Sequence, residues 1–389
     1  MDNKDLSKIS AIALNNLFGY EPKFSHRITD SLGSAEAVFS LPQDELLRIF
    51  GPYNRYLSGI CESTLEEASR LYERLLSQGY NVISIYEDSY PALLRDCDDA
   101  PMVLYVRSGT DPAALFNTRP AVSIVGTRDM SLYGKEWCTR IVKTLSKAPQ
   151  KPLIISGMAI GIDITAHTAA LDFGLPTIGV LPVGIDDVYP RRHIAAAKRI
   201  AEQEGGALIT DYPPGTDAVA VNFLRRNRII AGISQATILV ESKAKGGGTL
   251  TARLASGYGR DVFTLPGRID DLRSEGCNRL LREKIAEPIA SLDGLAAAVG
   301  LGSYSRRRNA DLTKEITERF SDSLERDQVE NLVKLALQIK AQRGICYDEL
   351  CRICNLSYSR VSTLAGLLEN EGFIQTDLMQ RCSINAKKY

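Results

Sequence analysis

Six short apolar runs between residues 121 and 267 constrain this chain more than anything else in it. "AVSIVGT", "KPLIISG", "PTIGVLPVG", "GALITDYP", "ATILVES" and "RDVFTLPG" are rich in β-branched residues, and most end in glycine or proline. Helix-length stretches such as "YGKEWCTRIVKTLSK" and "IDITAHTAALDFG" lie between them. A strand without polar alternation has to be covered on both faces, and helical connections supply that cover. The pattern predicts an α/β fold built on a buried parallel sheet.

The flanks read differently. Residues 1–70 hold short apolar helical segments, "ISAIALNNLFG" and "DELLRIFG", separated by Gly and Pro. Residues 65–79 form an amphipathic helix stopped by Gly79, and "NVISIY" follows as a strand. "GLGSYSRRRNADLTKEI" has the composition of a linker. Beyond it, "VENLVKLALQI", "YDELCRICN" and "SYSRVSTLAGLLENEGFI" predict three helices, and "QTDLMQRCSIN" a small β wing, the layout of a winged helix-turn-helix. The expected division is 1–70, helical; 71–298, the α/β domain; 299–324, linker; and 325–389, winged-helix-like.

Composition excludes several classes. Lys+Arg and Asp+Glu both total 47, so any anion-binding surface is local. No apolar run approaches the roughly 20 residues that span a bilayer, and "MDNKDLSKIS" lacks a signal-peptide pattern. Eight irregularly placed cysteines read as reduced thiols, and the expected location is the cytoplasm. Cys346, Cys351, Cys354 and Cys382 reproduce an iron–sulfur-like spacing, but Cys351 and Cys354 fall on a helix beside Leu350 and Ile353, where cysteine serves as a small hydrophobe. No metal or cofactor is expected. Three scattered histidines make no metal site, and His167 reads as a packing residue.

Three glycine-containing strand ends carry the chemistry: Gly126-Thr127-Arg128, "SGMAIGID" with Ser156, Gly157 and Gly161, and "KGGGT" with Gly247. In a parallel sheet such ends share one edge, where glycine admits a close phosphate and helix N-termini offer free N–H donors. None matches a dinucleotide or P-loop fingerprint. Cations gather at the same edge. Arg191 and Arg192 follow "DDVYP", Lys243 and Lys245 flank the third glycine loop, and "NFLRRNRIIAGIS" places Arg225, Arg226 and Arg228 just after Asn222. With Asn222 as helix N-cap, those arginines crowd the positive end of a helix. Each costs roughly 0.3–1 kcal/mol unless an anion answers it. Pairing with Asp211, Glu241 or Asp186 would satisfy some of them internally. No catalytic constellation stands out.

"SIVGTR", "SGMAIGIDITAH", "GVLPVGIDDVYP", "ITDYPPG", "FLRRNRIIAGIS", "GGGTLTARLA", "VFTLPG" and "SEGCNRLL" together resemble the DprA/Smf family, the DNA-processing proteins of bacterial natural transformation, in order over about residues 80–290. The resemblance implies an extended Rossmann-like domain that binds and protects single-stranded DNA and helps load the recombinase RecA. It also implies a homodimer, no catalytic reaction, and outer domains of the SAM or helix-hairpin-helix and winged-helix kinds. Carried over by motif, Gly126, Thr127 and Arg128 meet the DNA backbone, and Ser156, Gly157 and Gly161 line the same edge. Arg191 or Arg192 adds a phosphate contact, Arg226, Asn227 and Arg228 match the family's Arg-Asn-Arg, and Gly247, Thr251 and Ala252 match a Ser-Gly-containing helix start. Arg225 and Lys243 join the candidate DNA-binding set. The chain departs from the family at Leu224, usually proline, at Asp211, usually glutamate, and at Gly246 and Gly248, often serine; the triple glycine is expected to loosen one wall. Phe223 and Tyr189 are stacking candidates that read first as core. A rival reading is a nucleotide phosphoribohydrolase of similar fold, but Ala252 then stands at its glutamate position. A third makes the C-terminal domain a reader of duplex DNA, for which its third helix, "SYSRVSTLAGLLENEGFI", offers only Arg360.

Overall fold

Nine strands make the central sheet of the computed structural model: β1 (Asn81–Ser84), β2 (Val103–Arg107), β3 (Ala121–Val125), β4 (Leu153–Ser156), β5 (Thr177–Val180), β6 (Ala207–Thr210), β7 (Ala236–Leu239), β8 (Asp261–Thr264) and β9 (Glu287–Pro288). The structure describes residues 3–19, 21–292, 294–301, 304–321, 323–342, 345–376 and 380–384, with backbone alone at 3–4 and 304–311. All six apolar runs are strands. Their order across the sheet is β1-β2-β6-β5-β4-β3-β7-β8-β9. From β6 to β9 every pairing is parallel, but β2 joins β6, and β1 joins β2, antiparallel. The sheet is therefore mixed, not wholly parallel. The connection over 85–102 carries only the four-residue helix Ala92–Arg95 and returns the chain on itself, whereas each parallel step uses a full helical crossover.

Apolar packing covers both faces. Helices Leu132–Leu145 and Ile162–Asp172 close one face with Ile141, Leu145, Ala166 and Ala170 against Val122, Ile124 and Ile238. Helices Ala220–Ile233 and Gly247–Gly257 close the other, and there Leu14, Phe18 and Leu46 of the N-terminal segment join the same apolar cluster as Ile155, Ile229 and Ala252. Residues 1–70 are therefore not a separate body. Their helices, Asn3–Phe18, Pro22–Leu32, Ala35–Ser40 and Gln43–Phe50, share a core with the sheet, and the compact unit runs from residue 1 to 301.

The second unit is 302–389. Most of the expected linker is the helix Tyr304–Phe320. Leu312, Ile316 and Phe320 recur every four residues and are buried in this unit's core, an apolar stripe that the Gly/Ser/Arg-rich start of the segment conceals. Helices Arg326–Ala341, Tyr347–Cys354 and Tyr358–Asn370 follow. Strands β10 (Ile345–Cys346), β11 (Ile374–Thr376) and β12 (Arg381–Ile384) pair antiparallel in the order β10-β12-β11. That is the winged-helix order of elements; the wing's turn at 377–379 lies outside the described residues. Cys354 and Cys382 are buried in this core, Cys351 packs against it and the Cys346 thiol donates to Glu349 Oε2 at 3.5 Å. Among the described residues, no group of three or more His, Cys, Asp or Glu is placed to hold a metal ion, and no helix is long and apolar enough to cross a membrane.

Candidate nucleic-acid interface

The loops leaving β3, β4 and β7 interlock at one edge of the sheet because glycine lets their backbones touch. The Thr127 N–H donates to Glu241 O at 2.7 Å, tying the first loop to the third, and Ile162 N donates to Thr127 O at 3.2 Å, tying it to the second. Gly161 sits at φ +86°, and a Cβ there would lie 2.2 Å from Thr127 O. A Cβ on Gly248 would come within 3.0 Å of Gly126 Cα. Side chains at these positions would push the loops apart. The triple glycine does not loosen the wall: Gly248 is a close-packing residue, and the Thr249 hydroxyl bonds Ser242 Oγ at 2.9 Å and Lys243 O at 3.0 Å. Only Gly247 opens onto free space, its nearest neighbour for a Cβ being Asn227 Nδ2 at 4.0 Å.

Between these loops and the Ala220–Ile233 helix lies a cavity of about 710 Å³. Gly126, Thr127, Arg128, Arg226, Asn227, Lys243, Gly246, Gly247, Gly248 and Thr251 line it. The helix begins three residues earlier than expected, with Val219 as N-cap, so Asn222 is inside its first turn, its Nδ2 donating to Asp217 O at 3.2 Å. The arginines therefore occupy later turns, and their crowding at a positive helix end does not arise. Arg226 is buried and donates to Val180 O at 2.6 Å. Arg128 is exposed and lies over the Phe223 ring, 4.8 Å from its centroid. Phe223 and Tyr189, whose ring centroids are 5.3 Å apart, both line the cavity. Tyr189 is 42% exposed, so the expectation that both are core is corrected.

The electrostatics favour an anion. Among the described residues, Arg128, Arg226 and Lys243 form no ion pair with a carboxylate, whereas the acid at the rim, Asp129, is held by Arg273 at 3.3 Å. The N–H groups of the first turn of helix Gly247–Gly257 lie at the same wall. One carboxyl remains inside. Asp163 is buried, accepts from Gly157 N at 3.2 Å, and is pushed up to about 6 by burial, against the pull of Arg226. Burial likewise lowers Arg226 to about 10. The motif "SGMAIGID" contains Asp163, but as the residue after a helix start it reads as an ordinary first-turn acid.

Residues 81–300 match the family described as DNA recombination-mediator protein A. The chain belongs to that family. Protein Smf of Synechocystis is 37% identical over 214 residues, 55% of this chain and 52% of that protein. DNA processing protein DprA of Streptococcus pneumoniae is 36% identical over 208 residues, 53% of this chain and 70% of that protein. The chain thus spans about half the length of the Smf relative. The X-ray structure of the Streptococcus pneumoniae DprA superposes with a TM-score of 0.61 at 28% identity, covering 76% of this chain and 98% of that one. A Helicobacter pylori DprA structure, described for its single-stranded DNA binding mode, gives a TM-score of 0.50 at 29% identity over 56% of this chain and 94% of that one.

Several residues singled out by the family's motifs stand elsewhere. The Arg-Asn-Arg of the DNA recombination-mediator family divides: Arg226 and Asn227 face the cavity, but Arg228 turns away to donate to Asp99 O and to the Asp211 carboxylate, the internal pairing that the sequence left open. Arg225 and Arg228 line a second cavity of about 420 Å³ with Phe24 and Arg27. Ser156 is buried, its hydroxyl donating to Ile124 O at 2.6 Å, and so belongs to the sheet rather than to the edge. Gly157 lies under Arg226: a Cβ there would lie 2.1 Å from Arg226 Nη1. Gly161 supports the Arg128 loop from below. Arg191 and Arg192 are exposed on the turn Arg191–His193 and do not line the cavity, whereas Tyr189 beside them does. His167 is buried, bonds Thr177 Oγ1 at 2.7 Å and is driven down to about 3 by burial.

Proposed function

We propose that this chain binds single-stranded DNA in the sheet-edge cavity, protects it, and helps deliver it to the recombinase RecA during uptake of DNA, acting as a homodimer in the cytoplasm. The observation that carries the reading is the exposed Arg128 and Lys243, neither in an ion pair among the described residues, with Arg226 behind them and the Phe223–Tyr189 pair in the same cavity. Single strands are held by basic grooves that contact phosphates and by aromatic rings on which bases stack, without a sequence code. The DNA-binding Helicobacter relative supports the same ligand. The hydrolase reading lacks support at Ala252, which is buried in apolar packing where that chemistry needs a carboxylate.

The test is fluorescence anisotropy with a labelled dT oligomer across a salt series, for wild type and Arg128→Ala. The expected result is preference for the single strand over the duplex, affinity falling with salt, and a variant that binds more weakly with a log–log slope shallower by about 0.7, the value for one lost phosphate contact on a single strand. If neither protein binds at low salt, the reading is wrong and the cavity serves a small nucleotide.

A further inference from the structure

Beyond the cavity, the first turns of the Leu132–Leu145 helix present an unusual surface. The chain runs directly from Arg128 through Met130 into this helix, where Ser131 caps the start by accepting from Gly134 N at 3.0 Å. Glu241 accepts from Ser131 N at 2.9 Å and fixes the same turn to the end of β7. The helix start is therefore rigidly joined to the Arg128 loop. Leu132 is 87% exposed and Tyr133 46% exposed. Trp137, one turn on, is half-buried, its ring centroid 5.9 Å from that of Tyr133. The Arg140 guanidinium lies 4.4 Å from the Trp137 centroid. Its pairing with Glu136, at 3.4 Å and solvent-exposed, is of the weak kind that a phosphate displaces. Lys135 is exposed on the same turns.

We propose that this face continues the DNA track: the strand that passes Arg128 leaves the cavity along the Leu132–Leu145 helix, with bases on Tyr133 and Trp137 and a phosphate beside Arg140. The proposal rests on the single-stranded DNA reading of the cavity. Three observations select this ligand. The face is continuous with the cavity's Arg128 loop, it pairs flat rings with cations as single-strand tracks do, and the helix carries three cations, Lys135, Arg140 and Lys143, against one acid, Glu136.

Trp137 is the only tryptophan in the chain, so the emission of the intact protein reports on this face alone. Binding of dT6 and dT20 is followed by anisotropy and by tryptophan emission in parallel, for wild type and Tyr133→Ala. The expected result is quenching by dT20 and little by dT6. Tyr133→Ala weakens dT20 at least fivefold, the low end of the loss per stacked base, and leaves dT6 unchanged. Saturation of dT20 by anisotropy with unchanged emission, and equal dT20 affinity in the variant, overturns the track while leaving the cavity reading intact. No binding of either oligomer overturns both. An emission change that follows protein concentration without DNA assigns the face to a second copy of the chain and overturns the track.

Discussion

At the residue scale, the cavity mixes cations that have no carboxylate partner with one carboxyl that has lost its water. Asp163 rises from 3.8 to about 6 chiefly because burial disfavours its charged form. A raised acid binds its proton more tightly folded than unfolded, so its contribution is fully present below about pH 4 and is lost as pH rises through about 6. The size, from the displacement, is on the order of 3 kcal/mol. Asp163→Asn removes this dependence: urea unfolding at pH 5 and pH 7.5 shows a smaller pH difference in the variant than in wild type. The same charge opposes a bound phosphate. Wild-type affinity for dT is therefore expected to rise as pH falls through 6, with Asp163→Asn binding more tightly at pH 7.5 and losing that rise. A variant with the wild-type pH profile removes Asp163 from the binding electrostatics. None of this was legible in the sequence, where Asp163 is one acid among many; the Arg226 charge that acts on it arrives from a helix 63 positions later.

At the element scale, the Ala220–Ile233 helix serves two sites from successive residues. Phe223, Arg226 and Asn227 face the cavity, while Arg225 and Arg228 turn to the second one. The 3.6-residue turn divides a run that looks like one cluster in the sequence. Arg228 and Asp211 are a buried pair, with side chains 10% and 5% exposed. Arg228→Met leaves the Asp211 carboxylate buried and unpaired, and is expected to lower unfolding stability by about 3–5 kcal/mol. Arg228→Met combined with Asp211→Leu recovers most of that loss, as denaturant midpoints measure. The Tyr304–Phe320 helix is the second lesson at this scale. Its polar start concealed it, but Leu312, Ile316 and Phe320 hold it in the C-terminal core. Ile316→Ala is expected to cost about 2–5 kcal/mol in that unit without changing dT affinity; a linker would show no loss.

At the scale of the whole molecule, residues 1–301 and 302–389 each enclose their own apolar core. A chain ending at Leu301 is expected to keep its unfolding midpoint and its salt slope for dT, measured by calorimetry and anisotropy; a lost slope would place phosphate contacts in the second unit. The sequence by itself determined the six strands, the helices between them, the family, and the glycine loops of the sheet edge. Those features are local: β-branched runs, helical periodicity and glycine punctuation act over a few residues. Only the tertiary structure decided which neighbours in sequence become neighbours in space. It set Tyr189 in the wall and Arg191 and Arg192 outside it, turned Ser156 into the sheet, and gave Arg226 to the cavity but Arg228 to Asp211. It also merged the N-terminal helices into the central core and paired β1 and β2 antiparallel at one side of the sheet. Direction around a helix and burial against a distant segment depend on packing between elements, and a pattern read along one chain carries no record of that packing.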